Sequence, residues 1–373
     1  MKKKKQIYLV PGFFGFKSLG SLNYFHRVKE TLEDALERRG KKAEIIECCT
    51  QPTGSITRRA NRLLDTVINS GGLDADEIHL IGHSTGGLDI RLLLTSEVHL
   101  RPGDDEEEIG RRTASAVCIS TPHFGTPLAS FFTTMQGRQL LQLLTLMATT
   151  SAGRRSIYML AKVLSVVTRL DDAIGLDNTF LDALARKVFH HITMEERDPI
   201  WLFLKEVATD QGAIVQLTPE GMHLFNAAVV ERADVRYGCV VTASPPPFAQ
   251  PATDFLSPSR AFLCMVYALM YKLVGREHRH YPYPSPAAEY AALLNERLPF
   301  ECDASTNDAV VPALSQVYGE LLDVVAGDHL DVVGQFGMAG GSVLSNWLPS
   351  GAGFNEDRFQ EVWDRVAAHI AEF

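Results

Sequence analysis

Gly82-His83-Ser84-Thr85-Gly86 is the stretch of this chain best suited to chemistry. It is a G-x-S-x-G pattern that directly follows the apolar run Ile78–Ile81 and directly precedes a helical pattern beginning at Leu88. A serine nucleophile has to stand clear of a sheet on a tight strand-to-helix turn, and flanking glycines let the backbone make that turn. The helix N-terminus then sets the Thr85 N–H beside any negative charge that develops there. Serine is a weak nucleophile unless a base takes its proton, so a carboxylate and a histidine are expected downstream in the order Ser, Asp, His. Asn307-Asp308-Ala309-Val310-Val311-Pro312 and Gly327-Asp328-His329-Leu330-Asp331 supply both. His329 is the expected base and Asp308 its orienting acid, with Asp303, Asp323 and Asp328 as rivals for the acid. A second donor to the anion is expected from the glycine turn Val10-Pro11-Gly12-Phe13-Phe14-Gly15, through the Phe13 N–H. Phe14, His83, Phe124, Phe131 and Phe132 are the neighbours expected to line or cover a substrate, and His123 to shape the pocket.

Positioning these residues requires a sheet whose strands deliver loops to one edge. The first third of the chain alternates strand and helix patterns, which argues for a parallel sheet covered on both faces. Ile7–Val10 is an apolar run ending at Pro11-Gly12. Leu22, Phe25, Val28, Leu32 and Leu36 then recur at helical spacing up to Gly40. Ala43–Cys48 reads as a strand, and Ile56, Ala60, Leu63, Leu64, Val67 and Ile68 as a helix face that stops at Ser70-Gly71-Gly72. Ala116–Ile119, Val235–Val241 and Leu321–Val325 are further strands, and Phe359, Val362, Trp363, Val366 and Ile370 the buried face of a last helix. The acidic run Asp104–Glu108 is expected as a solvated loop tip.

The rhythm breaks after about residue 126. Phe131, Phe132, Leu140, Leu141, Leu143, Leu144, Leu146 and Met147 crowd one segment, with Tyr158–Val167 close behind. The reading is an α/β core from residues 1–125 and 301–373, joined by the 235–242 strand, with a large, mainly helical insertion over 126–234 and 243–300. Such helices either act as a lid that covers Ser84 and excludes water, or simply pack against the core.

Composition removes several function classes. With 46% hydrophobic and 22% charged residues the chain encodes a packed globule and not a disordered or fibrous one. A net charge of -9 repels phosphate backbones, so a general nucleic-acid binder is excluded. Six cysteines in 373 residues, none at zinc spacing, fit a reducing compartment. Lys2–Lys5 precede only a short apolar run, and Ala261–Val274 contains Lys272 and is short for a membrane span. A soluble, cytoplasmic protein is expected, with oligomeric state undetermined and transient contact of Lys2–Lys5 with a lipid interface an additional option.

Together, Pro11-Gly12-Phe13, the Gly82–Leu88 elbow, Ser120-Thr121-Pro122-His123-Phe124-Gly125-Thr126-Pro127, Asn307-Asp308 with Val311-Pro312, and Asp328-His329-Leu330-Asp331 resemble the bacterial lipase/esterase branch of the α/β-hydrolases. The resemblance covers both ends of the chain and leaves the middle unmatched. It implies an α/β-hydrolase fold and a serine hydrolase that cleaves carboxylic esters of acyl chains, small-molecule or lipid, through Ser84, Asp308 and His329. No cofactor is needed for that chemistry. The resemblance also raises a structural calcium (Ca2+), because relatives use an aspartate and a glutamine spaced like Asp331 and Gln335. Two departures stand out: Pro11-Gly12 replaces the usual His-Gly, and many relatives are secreted. Acyl transfer, polyester depolymerisation, and non-catalytic lipid binding on the same fold are the alternatives.

Overall fold

The computed structural model describes residues 4–13, 18–19, 22–103, 105–134, 210–247, 258–276, 287–337 and 348–372. Among them a six-stranded parallel sheet is built from β1 (Lys5–Val10), β2 (Glu44–Glu47), β3 (Glu77–His83), β4 (Thr113–Ile119), β5 (Arg236–Ala243) and β6 (Glu320–Ala326), in the order β2-β1-β3-β4-β5-β6. The strands are buried on both faces, which is why they read as continuous apolar runs instead of alternating ones.

Two cores follow from the pleat. Ile7, Leu9, Ile81, Val117, Ile119, Val240 and Val325 face one side, where α1 (Val28–Arg38) and α10 (Glu356–Ala371) contribute Val28, Leu32, Phe359, Val362 and Trp363. Tyr8, Val10, Ile78, Leu80 and Ala116 face the other, against Leu63, Leu64 and Val67 of α2 (Ile56–Asn69) and Ile90, Leu93 and Leu94 of α3 (Thr85–Leu94). Each such side chain contributes roughly 1.5–3 kcal/mol by leaving water. Trp363 also donates its indole N–H to the Val332 carbonyl at 3.0 Å, which ties α10 to the loop carrying His329.

The register decides where the loops emerge. Val10 pairs with Gly82, His83 with Ile119, Ile119 with Val240, and Ala243 with Ala326. The turns after β1, β3, β4, β5 and β6 therefore leave at one edge, the carboxyl ends of the strands, where open α/β sheets hold their sites.

The acidic run corrects one expectation. Asp105–Arg112 is a helix, α4, and not a loop tip. Its acidic first turn suits the helix N-terminus, and Glu108 pairs with Arg112 one turn later. Glu106 turns inward and accepts from the Leu100 N–H at 3.2 Å. Between β4 and β5 the described helices are α5 (Pro127–Phe132), α6 (Gly212–Gln216) and α7 (Pro219–Ala228); between β5 and β6 they are α8 (Pro258–Val274) and α9 (Ala287–Arg297). Ala213, Leu217 and Met222 pack with Leu88 and Leu92 of α3, whereas Phe132 packs with Leu263, Val266 and Tyr267 of α8. Leu140–Met147 and Tyr158–Val167 lie outside the described residues. None of the described helices is long and apolar enough to cross a membrane.

Candidate active site

Ser84 stands between the last residue of β3 and the first of α3, with φ 56 and ψ -129. A non-glycine residue with positive φ is strained, and such strain persists only where the surroundings fix it. Here the Ser84 N–H donates to the Ile119 carbonyl at 2.8 Å, and Gly86 meets the end of β1 so closely that a Cβ would press into the Val10 carbonyl. Thr85 opens α3, where N–H groups of the first turn have no intrahelical acceptor.

Asp308 and His329, the expected acid and base, lie more than 200 residues beyond Ser84 in the sequence. His329 Nδ1 lies 2.7 Å from Asp308 Oδ2, and the His329 N–H donates to the Asp308 carbonyl at 3.0 Å. Asp308 is fully buried, and its charge is met by donors on both oxygens. Oδ1 accepts from the Val310 and Val311 N–H groups at 2.9 and 2.7 Å; Oδ2 accepts from Thr242 Oγ1 at 2.7 Å and Gln316 Nε2 at 3.2 Å, besides facing the imidazole. Ala309, with φ 74, makes the tight turn that aims these N–H groups back at the carboxylate. An acceptor so surrounded is held in one orientation. The rivals are engaged elsewhere: Asp303 binds Ser305 within its own turn, Asp323 pairs with Arg358, and Asp328 accepts from the Leu330 N–H.

Phe13 is half-buried and touches two apolar clusters, one around α5 and α8 and one around α2 and α3. Its loop is tied down by Arg59 of α2, whose guanidinium is fully buried. Arg59 Nη2 donates to the Pro11 carbonyl at 2.7 Å and to Asp89 Oδ2 at 2.8 Å, Nε donates to Asp89 Oδ1 at 3.1 Å, and Nη1 reaches the Gln51 carbonyl at 2.6 Å. Asp89 belongs to α3, so the pair clamps the loop after β1 to the helix that carries Ser84. Burial pushes the Asp89 carboxyl up to about 6 even with Arg59 beside it.

Other expected residues sit as follows. His83, expected among the substrate-facing side chains, is instead wholly buried, its Nδ1 against Tyr24 Oη and its Nε2 against the His329 carbonyl. Burial, and next the neighbouring His329, hold its pKa well below the ordinary range. Phe124 is half-buried and donates its N–H to Ser315 Oγ at 3.1 Å. His123 is buried, with its ring stacked on Tyr318 and Nδ1 3.3 Å from Arg91. Phe131 is half-buried beside the α8 cluster, Phe132 is buried in it, and Phe14 lies outside the described residues.

For calcium, Asp331 Oδ2 accepts from the Asp328 N–H at 2.8 Å, and Gln335 Nε2 donates to the Asn23 carbonyl at 2.7 Å. Among the described residues no group of three or more His, Cys, Asp or Glu side chains is placed to hold a metal ion. Thr242, Gln316, Tyr24, Arg59 and Asp89 are parts of the site that sequence reasoning missed, since nothing local marks their partners.

No family model matches the chain. It is 29% identical over 124 residues to a triacylglycerol lipase of Pseudomonas fragi and 37% identical over 86 residues to one of Vibrio cholerae. These alignments take in 33% and 23% of this chain, and the chain spans only 36% and 26% of the two relatives. Among solved structures, lipase 1 from Pelosinus fermentans superposes with a TM-score of 0.54 at 16% identity, covering 100% of this chain and 99% of that one. The parallel sheet, the strained elbow after its third strand and this superposition together give the chain the α/β-hydrolase fold.

Proposed function

We propose that this protein is a serine hydrolase of carboxylic esters of acyl chains, working through an acyl-enzyme. Ser84 Oγ attacks the ester carbonyl and passes its proton to His329 Nε2, the ring nitrogen left over once Nδ1 faces Asp308. The Phe13 and Thr85 N–H groups hold the oxyanion. The imidazolium, stabilised by Asp308, returns the proton to the departing alkoxide, which leaves as the alcohol. Water, deprotonated by His329, then attacks the acyl-Ser84 carbonyl; the acyl–Oγ bond breaks, the imidazolium returns the proton to Ser84 Oγ, and the acid leaves.

The observation that carries this reading is the buried Asp308 carboxylate, held by four donors and 2.7 Å from the imidazole of His329, at the edge where Ser84 occupies its strained turn. Folding alone does not require a buried charge so arranged. Acyl esters are the substrate class because the relatives matched are triacylglycerol lipases and because apolar side chains of α5 and α8 cluster with Phe13. The helices between β4 and β5 and between β5 and β6 are assigned to covering the acyl chain.

The test is a p-nitrophenyl ester series from acetate to palmitate on the wild type and on Ser84→Ala. The expected result is turnover by the wild type, with a chain-length profile that separates esterase from lipase, and none by the variant. Unchanged turnover in Ser84→Ala would remove the nucleophile.

A further inference from the structure

Three loops have to stay in register for the proposed chemistry: Pro11–Phe13 after β1, the Ser84 elbow after β3, and the His329 loop after β6. Two side chains outside the triad join all three. The Gly12 N–H donates to Tyr24 Oη at 2.8 Å, Tyr24 Oη lies 2.8 Å from His83 Nδ1, and His83 Nε2 lies 2.9 Å from the His329 carbonyl oxygen.

The proton positions follow from what each atom can do. A carbonyl oxygen only accepts, so His83 Nε2 carries the hydrogen. A neutral imidazole has one N–H, so Nδ1 is a lone pair and takes the Tyr24 hydroxyl proton. The phenol oxygen, having donated, accepts from Gly12. A doubly protonated ring would instead place a positive charge on a fully buried side chain. Burial opposes that charge, as it opposes ionisation of Tyr24.

The chain of bonds is also anchored. Tyr24 is buried in the core cluster beneath α1 and α10 and meets Phe25 edge-on at 5.0 Å between ring centroids. The ring of His83 lies 4.7 Å from that of His329 and 5.7 Å from that of Tyr24. Gly12 fits between them because it lacks a side chain: a Cβ there would lie 2.5 Å from Ser84 Cβ and 2.7 Å from Tyr24 Oη.

We infer that Tyr24 and His83 form a one-way hydrogen-bond relay, Gly12 N–H to Tyr24 O–H to His83 and His83 Nε2–H to the His329 carbonyl, which positions the oxyanion loop and the base against Ser84. Both are positioning residues: neither touches substrate, and their effect reaches the reaction through Gly12, Ser84 and His329. The inference rests on the ester-hydrolase reading for its kinetic consequence but not for its proton assignment.

Two measurements test it. Tyr24→Phe deletes only the hydroxyl, and misplacing reacting groups by about an ångström costs up to about 100-fold. The variant is therefore expected to lose about 10- to 100-fold in kcat on p-nitrophenyl butyrate, with KM within about twofold, while a fluorophosphonate probe still labels Ser84 stoichiometrically but more slowly. Wild-type kcat in a folded Tyr24→Phe would overturn the relay. Neutron diffraction from deuterated wild-type crystals needs no variant to fold: the expected result is deuterium on His83 Nε2 and on Tyr24 Oη with Nδ1 bare, and deuterium on Nδ1 would overturn the relay. A wild type that neither turns over esters nor reacts with the probe defeats the hydrolase reading instead, and leaves the relay to be judged by the nuclear density alone.

Discussion

Replacing Arg59 by methionine should destabilise the protein in a way that depends on pH. The guanidinium and its partner Asp89 are fully buried, and the substitution leaves the carbonyls of Pro11 and Gln51 and the carboxyl of Asp89 without their donor. Each orphaned carbonyl costs about 1–3 kcal/mol, so about 2–6 kcal/mol is expected before any charge is counted, close to the 3–5 kcal/mol typical of broken buried pairs. The charge adds a second component. Asp89 sits at about 6 in the folded protein against an ordinary 3.8, so its contribution to stability is fully present below pH 3.8 and is lost as pH rises through 6. Without Arg59 the folded carboxyl titrates higher still, so the variant keeps losing stability above pH 6 where the wild type has levelled off. The gap between them should widen by about 1.4 kcal/mol per pH unit from 6 upwards. Urea unfolding at pH 5, 6, 7 and 8 reads this directly, and Arg59→Met combined with Asp89→Asn should abolish the widening while keeping the carbonyl loss. A gap below about 1 kcal/mol at every pH, or one that does not change with pH, would refute the reasoning.

Asp308→Asn should lower kcat by on the order of 10³–10⁴-fold, because an amide can hold His329 in the wrong tautomer, whereas Asp303→Asn should leave kcat within about twofold; steady-state kinetics on one ester compares them. Asp364 of α10 accepts from Arg39, the residue that caps the C-terminus of α1, at 2.6 Å on both oxygens, and Arg39, with Arg38 beside it, lowers its pKa to about 2. A lowered pKa stabilises above about 3.8 and is lost as pH falls towards 2. Because the Asp364 side chain is 37% exposed, screening reduces the expected cost of Asp364→Asn to about 0.5–1 kcal/mol at pH 7, vanishing near pH 2 in thermal unfolding.

The strands were legible because each is a short apolar run closed by Pro, Gly or Ser, and burial on both faces makes such runs continuous. The elbow was legible because its glycines and serine are adjacent in the chain. What escaped is polar and distant. Arg59 sits on the apolar face of α2, and nothing near it names Asp89 or the Pro11 carbonyl as its partners. Tyr24 reads as one more aromatic, and its hydrogen bonds reach back to Gly12 and ahead to His83. Asp308 could not be separated from Asp303 by chain order, and the structure separates them by where each carboxylate finds its donors. The acidic stretch of α4 misleads because charge density resembles a solvated tip, while its helicity comes from the macrodipole and from Arg111 and Arg112 in the last turn.

The His83 ring and the His329 carbonyl that it holds are separated by 246 residues of sequence. During synthesis Ser84 is thus made well before His329. A nascent chain can have most of its sheet folded and still be chemically silent. In refolding from denaturant, recovery of ester turnover should accordingly trail the return of helical circular dichroism, and the length of that lag would time the docking of β6 and α10 against the rest of the molecule.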